Sequence, residues 1–524
     1  MSEIKDSASV KVILDNLQEN PHCPHGPTLL FKRIFNGAER SFFACSACRD
    51  RKDCGFFLWA DGKMTPTKKK AWDLERERLI PKINHPEQYK KYNMLLKMSS
   101  ERRAFCHTCN NLLLISEVAE SHKEHDVQVG ISNHLLKHPS ELLKPLESAK
   151  KEAQYLFTSR ASRTIINIAS DLGATRLLCL GTPRVHELVC SQLSTQMSSL
   201  LLDIDHRYHM FNSPKQFCWF NSFNNYFFSK EEGLRVLSEF LEENGGWDIV
   251  LVMDPPFGGR VEPLAKTIQD IMQLHRRLCP GLCKDMLVLW IFPYFMEPQI
   301  LASCPDFTML DYKVDYENHS LFASGPQGRK HGSPVRIFTN ANPEDISLPE
   351  DEGYWFCNIC RRWVSEENKH CMKCNECTSK DGRTYVHCDE CKRCVKPTWE
   401  HCGTCNRCCL PSHKCGEFAP SQLCFNCGQP GHKKHDCSTF SIGAAITVKK
   451  DCNTQLQTVR ARKRRRPNTT DLMCGGRGKQ ISATDFNKRQ KLKTVHNKKP
   501  KQDLKKVIKK KSKLRTKMKK KLQL

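Results

Sequence analysis

Asp254-Pro255-Pro256-Phe257 places an acid, two prolines and an aromatic ring directly after the apolar run 247–253. That run reads as a buried strand, and the prolines end it because they cannot donate to the ladder. The carboxylate therefore stands where a strand leaves its sheet, the edge at which open α/β sheets hold ligands. The second chemistry on offer is metal ligation. Of thirty cysteines, 22 fall in bursts at 23–54, 106–109 and 357–437. Cys424-x2-Cys427-x4-His432-x4-Cys437, with Phe425, Gly428 and Gly431 at its turns, offers three thiolates and an imidazole for one tetrahedral ion. Upstream, Cys-x2-Cys begins at Cys357, Cys374 and Cys391, a spacing of 17, with His-Cys pairs at 370–371, 387–388 and 401–402. This block partitions into four interleaved sites: Cys357, Cys360, His370, Cys377; Cys371, Cys374, His387, Cys394; Cys388, Cys391, His401, Cys408; and Cys402, Cys405, His413, Cys415. Adjacent His and Cys then serve different ions, and Cys409 competes with Cys415 for the last. Cys106-x2-Cys109-x12-His122-x2-His125 gives a further set, with His134 and His138 as the alternative imidazole pair.

The elements that must carry these groups follow from length and composition. At roughly 150 residues per domain, 524 residues predict three or four domains. With no N-terminal apolar signal segment and no run of 18 apolar residues, the secreted and membrane readings of a cysteine-rich chain are set aside. A reducing compartment is expected, and thiols there point to metal. Residues 441–524 hold 28 Lys/Arg against 4 Asp/Glu, so +24 of the net +26 is a tail. The stretch 150–345 alone reads as a conventional core. Its apolar runs at 176–180, 200–204, 217–220, 248–253 and 286–292 look like buried strands, and segments between them, such as 263–277, carry helix-period apolar residues. The expectation is an α/β, Rossmann-like, parallel doubly wound sheet. Residues 1–20 read as a flexible N-terminus and 440–524 as a disordered Lys/Arg-rich tail. Within the tail, the Arg/Lys cluster at 460–466 reads as a nuclear import signal and 509–521 as a nucleolar-type basic run. Nucleus and nucleolus are the expected locations, the cytoplasm a further one.

With Leu180-Gly181-Thr182-Pro183-Arg184 after the first strand, Asp254-Pro255-Pro256-Phe257 resembles the motif of class I methyltransferases that act on exocyclic or side-chain nitrogen. The central segment looks like an S-adenosylmethionine-dependent N6-adenine methyltransferase. An adenine amino nitrogen shares its lone pair with the ring and is a poor nucleophile. The Asp254 carboxylate and the Pro255 carbonyl can each accept one of its N–H groups, while Pro256 helps fix the backbone and Phe257 stacks on the extruded base. The resemblance implies cofactor contacts from Leu180, Gly181, Thr182, Pro183 and Arg184. It also implies ribose acceptors at Asp203 and Asp205, adenine contacts at Asn221 and Phe223, a closing segment at Gln154, Tyr155 and Phe157, and Asp254 itself.

The flanking modules carry resemblances of their own. Cys23-Pro-His25-Gly26, Gly37, Arg40-Ser-Phe-Phe, Cys45 and Cys54-Gly-Phe-Phe-x-Trp59 resemble the GRF zinc finger, which implies Cys23, His25, Cys45 and Cys54 as ligands and leaves Cys48 over. Glu39-Arg40-Ser41-Phe42 departs from that family's Gly-Arg-x-Phe. Arg40, Phe42, Phe56 and Trp59 would offer a cation and stacking planes to a nucleic-acid strand. The first two sites of the 357–415 block resemble the cysteine-rich domain of the palmitoyltransferases, whose catalytic signature and membrane spans are missing here. The 424–437 set resembles a zinc knuckle, a module that binds single-stranded nucleic acid.

The expected order is a GRF-type finger at 21–65, a two-Cys two-His finger at 100–140, the methyltransferase domain at 150–345, the zinc repeat at 354–416 and the knuckle at 422–439. As a whole the chain resembles the CCHC zinc-finger ribosomal RNA adenine N6-methyltransferases, which implies N6-methylation of an adenosine in large-subunit ribosomal RNA. The implied cofactors are S-adenosyl-L-methionine and several structural Zn2+ ions. The implied partners are ribosomal RNA and other structured or single-stranded RNA, with no membrane. A protein-lysine methyltransferase and a non-catalytic zinc scaffold are the alternatives.

Overall fold

The computed structural model describes residues 10–35, 38–48, 53–145, 154–319 and 331–415. The knuckle at 422–439, the tail at 440–524, Gly37 and residues 1–9 lie outside the described residues.

An eight-stranded sheet forms the centre. Its strands are β1 (Arg176–Leu180), β2 (Ser198–Asp203), β3 (Phe217–Asn221), β4 (Tyr226–Phe227), β5 (Ile249–Met253), β6 (Leu287–Pro293), β7 (Thr308–Leu310) and β8 (Val335–Thr339), in the order β4-β3-β2-β1-β5-β6-β8-β7. The five strands from β3 to β6 in that order run parallel, as expected. The edges do not: β4, β8 and β7 are antiparallel to their neighbours, so the sheet is mixed rather than wholly parallel. The apolar runs are continuous because both faces are covered. Leu177, Cys179, Val250, Val252, Leu289 and Ile291 point to a core shared with helices α1 (Ser159–Asp171) and α2 (Pro183–Gln192). The alternate residues Leu178, Leu180, Leu251, Met253, Val288 and Trp290 meet α3 (Glu231–Glu242) and α4 (Val261–Leu278). Strand order reverses between β1 and β5, the switch point at which such sheets open a ligand crevice.

The N-terminal module corrects one expectation. Residues from Val10 onward do not form a loose terminus: Val10–Ile13 adds antiparallel to Leu29–Phe35 in a four-stranded sheet with Ala38–Ala44 and Phe57–Trp59. Helices Pro66–Leu79, capped by the Thr65 hydroxyl, and His85–Leu96 fill a stretch to which the sequence reading assigns no element. In the zinc repeat each Cys-x2-Cys turn closes a short hairpin, and the residue after the second cysteine is left-handed: Arg361 (φ 51), Asn375 (φ 53), Lys392 (φ 51) and Asn406 (φ 47). Asn110 repeats this in the second finger (φ 49). Each His-Cys pair lies on a strand, where neighbours project to opposite faces, which explains why adjacent ligands serve different ions. The repeat is docked on the catalytic domain: Asp311 accepts from the Ser365 N–H and from Asn368 Nδ2, each at 2.9 Å, and the Tyr354 hydroxyl accepts from the Lys313 N–H at 2.9 Å.

Candidate active site and zinc clusters

The carboxyl ends of β1, β2, β3 and β5 surround a cavity of about 380 Å³. Leu180, Gly181 and Pro183 line it from the β1–α2 turn, Asp203 and Asp205 from the end of β2, and Asp254, Pro255 and Pro256 from the end of β5. Gly181 is required by geometry. Its φ is +66°, and a Cβ there would stand 3.1 Å from the Asp254 carbonyl oxygen. The Asp254 N–H donates to the Leu180 carbonyl at 3.1 Å, so the two strand ends are tied at this point.

Burial pushes the Asp254 carboxyl well above the usual carboxylate range, and a hydrogen bond from the Tyr316 hydroxyl to Oδ1, 2.8 Å long, draws it back. Pro255 is buried and Pro256 half-buried beside it. Phe257 is half-buried and is not among the residues lining the cavity; its ring stands edge-on to Phe292 and Tyr316. At β2 the structure separates the two candidate acids. Asp205 is committed: Arg207 grips both oxygens and Gln154 Nε2 donates to Oδ2 at 2.9 Å. Asp203 accepts the Asp205 N–H on Oδ1 at 2.8 Å and turns its carboxyl to the cavity. The residue is half-buried, and burial lifts its carboxyl to about 7. Asp203 is thus the better placed acceptor for a diol.

Three other candidates have different partners. The Arg184 guanidinium donates to the Phe157 carbonyl at 3.1 Å and pairs with Glu317, so it clamps the end of the closing segment instead of lining the cavity. Asn221 lines the cavity, but its Nδ2 donates to the His25 carbonyl at 2.8 Å and to Ser46 Oγ at 3.0 Å. Its Oδ1 holds the Phe223 N–H; Phe223 also lines the cavity and is buried against Gly259, where a Cβ would collide with its ring. Asn221 therefore fixes the GRF-type finger to the catalytic domain. Asn224 adds bonds to the His25 and Pro27 carbonyls at 3.1 and 2.7 Å. Finger residues Pro24, His25, Ala47 and Cys48 consequently form one wall of the cavity. Thr182 is buried as the N-cap of α2, whereas Gln154 and Tyr155 line the cavity as the closing segment. Sequence reasoning missed Tyr316, His206 and the stacked pair Trp219–Phe228, whose rings lie 4.0 Å apart at 10°. Trp219 sits inside an apolar strand and Tyr316 on an irregular segment, so neither carried a motif.

Ligand atoms of Cys23, His25, Cys45 and Cys54 gather within 4.8 Å of one another, as do those of Cys106, Cys109, His122 and His125 and of the first three repeat sets. In the last set Cys402 Sγ lies 3.5 Å from Cys415 Sγ, and His413 Nε2 3.3 Å from Cys415 Sγ; Cys409 instead turns to the Arg407 carbonyl. His134 pairs with Glu141 and His138 meets Ser191, which removes the alternative imidazole pair. On the finger sheet Arg40 lies 3.6 Å over Trp59, and Phe31, Phe42 and Phe57 continue the aromatic row. Phe56 is not part of it; it is buried against Trp72.

Residues 148–324 match the family described as probable N6-adenine methyltransferase, 21–63 the GRF zinc finger and 422–439 the zinc knuckle. The human rRNA N(6)-adenosine-methyltransferase ZCCHC4 is 43% identical over 497 residues, 93% of this chain and 94% of its own. Its mouse counterpart is 49% identical over 424 residues, 80% and 82% of the two chains, and that of Xenopus tropicalis 47% over 449, 84% and 91%. The chain belongs to the rRNA N6-adenosine-methyltransferase ZCCHC4 family. The methyltransferase domain of a ZCCHC4 family member implies S-adenosyl-L-methionine, and its Cys/His clusters suit zinc. The residues present fit both groups. A left-handed glycine clears the backbone beside the β1 turn, Asp203 offers a carboxylate for ribose hydroxyls, and Trp219 gives an aromatic wall. When bound, the cofactor supplies an electrophilic methyl on a sulfonium. Of the chain's own groups, Asp254 and Pro255 at the end of β5 lie on the wall of the same cavity.

Proposed function

We propose that this protein transfers a methyl group from S-adenosylmethionine to N6 of an adenosine in large-subunit ribosomal RNA. The observation that carries the reading is Asp254 at the end of β5, on the wall of a cavity that Gly181 opens and Asp203 flanks. Held by Asp254 and the Pro255 carbonyl, an amino nitrogen gives up its planarity and aims its lone pair into the cavity. RNA as substrate is supported by the finger's Arg40–Trp59 stack with Phe31, Phe42 and Phe57, planes on which unpaired bases can stack. Other structured or single-stranded RNAs suit the same surface. The basic runs at 460–466 and 509–521 support work in the nucleus and nucleolus. Among the described residues no helix is long and apolar enough to cross a membrane. A lysine methyltransferase and a zinc scaffold without activity are less favoured, given the named relatives. The test is Asp254→Ala: methyl transfer to RNA should vanish while the cofactor still binds, and near wild-type turnover would overturn the assignment.

A further inference from the structure

We propose that Tyr316 is a positioning residue for methyl transfer: its hydroxyl pins one oxygen of the Asp254 carboxylate, so that the other is presented to the amino group of the base. This rests on the role given to Asp254 above and adds a group that no motif marks. The hydrogen bond from Tyr316 Oη to Asp254 Oδ1 is 2.8 Å, and Tyr316 is fully buried. It does not line the cavity, so it acts through the acid and not on the ligand.

A carboxylate on a single bond is free to rotate, and an acceptor aimed wrongly gains nothing for the reaction. Tyr316 is held firmly enough to prevent that rotation. It forms an antiparallel bridge with Phe157, and its ring lies 5.2 Å from that of Phe157 and 5.9 Å from that of Phe257. The backbone on either side is laced to the closing segment: the Thr158 N–H donates to the Asp315 carbonyl at 3.0 Å and the Glu317 N–H to the Leu156 carbonyl at 2.9 Å. The same strap carries Gln154, which donates to Asp205 at the other wall of the cavity. One short two-stranded element therefore sets both the acid and the ribose side of the site.

Among the described residues Tyr316 is the one titratable group that shifts Asp254, and Asp254 the one that shifts Tyr316. The end of β1 brings the Leu180 and Gly181 backbone, and Phe292 and Phe257 bring rings. On Tyr316's own segment Glu317 is paired with Arg184, the His319 ring stands against Tyr155, and Asp315 does not perturb either partner. Asp53, Asp203 and Asp205, the other acids on the cavity wall, are not among the groups that shift Asp254. A donated bond favours the ionised carboxylate, the form able to accept an N–H.

The experiment compares full-length wild type with Tyr316→Phe, which keeps the ring and removes the hydroxyl. Cofactor affinity is measured by calorimetry, and single-turnover methylation of RNA is followed against pH. The proposal expects cofactor affinity within about twofold and a rate near neutrality lower by about ten- to a hundredfold, the usual worth of a hydrogen bond to a charged group. The acidic limb should move to higher pH, so that the deficit narrows in alkali. Incorporating 3-fluorotyrosine at 316, a stronger donor of the same shape, should move that limb the other way. An active wild type with an unchanged Tyr316→Phe rate, an equal deficit at every pH, or lost cofactor affinity would overturn the positioning role alone. A wild type that methylates no RNA would overturn the reading of Asp254 beneath it.

Discussion

Gly181→Ala tests how the cavity is built. The residue sits at φ +66°, and an alanine held there costs about 1–2 kcal/mol relative to glycine. For a domain of about 200 residues this lowers the melting midpoint of the cofactor-free protein by roughly 2–8 °C. There is a second effect. The new Cβ would lie 3.1 Å from the Asp254 carbonyl oxygen, so the end of β5 must give by a few tenths of an ångström. If a misplacement of 1 Å costs about a hundredfold in rate, that shift costs about three- to fivefold. Gly173→Ala is the matched control. It carries the same kind of strain at φ +84°, but a Cβ there meets nothing within 4 Å. Thermal melting and single-turnover methyl transfer on both variants separate the terms. Gly173→Ala should lose stability and keep its rate, whereas Gly181→Ala should lose both. Equal rates in the two would refute the claim that the β1 turn sets the position of Asp254.

Asp203→Asn should weaken cofactor binding and flatten its pH dependence. The wild-type carboxyl at about 7 is ionised above that pH, so affinity should rise from pH 6 to 8 in the wild type alone, as calorimetry would show. Asn224→Ala removes one buried and one part-buried bond to finger carbonyls without touching the cavity, and is expected to cost about 1–3 kcal/mol of docking. Faster proteolysis at the finger junction and faster release of its zinc to a chelator would report it, and unchanged kinetics would remove Asn224 from the dock. Phe257→Ala should slow the reaction with cofactor affinity intact, because its ring supports Tyr316 and Phe292 beside the acid; an unchanged single-turnover rate would exclude it. Metal analysis should find seven zinc ions per chain, counting the knuckle, and three or fewer would show that the repeat is not an interleaved scaffold.

Much of the catalytic core was legible because its strands are buried on both faces. An uninterrupted run such as Arg176–Leu180 then coincides with the strand, and the acid follows where the run stops. The antiparallel edge was not legible. Val335–Thr339 is buried throughout like the parallel strands, but Arg336 breaks its apolar run, and its direction is set by the path of the chain before it. Parity decided the finger. Phe56 and Phe57 are neighbours in extended chain, so one must face the core and the other the sheet surface, and only the register says which. Asn221 has the residue type of an adenine contact, and nothing local reveals that its amide is spent on His25, 196 positions away. Tyr316 lies 62 positions from Asp254, beyond the reach of any spacing rule. For the second finger, helix Ile115–Ser121 ends at its cap His122 and a tight turn returns His125 to the same ion, so a gap of only two residues still closes the site.

The most direct test of the account gives the purified full-length chain S-adenosylmethionine with a labelled methyl group and total RNA from cells lacking the protein, with wild type beside Asp254→Ala. Nucleosides are then resolved after digestion. The account predicts label in N6-methyladenosine from large-subunit ribosomal RNA with the wild type and none with the variant. Label in protein instead of RNA, in a different nucleoside, or undiminished in Asp254→Ala would contradict it.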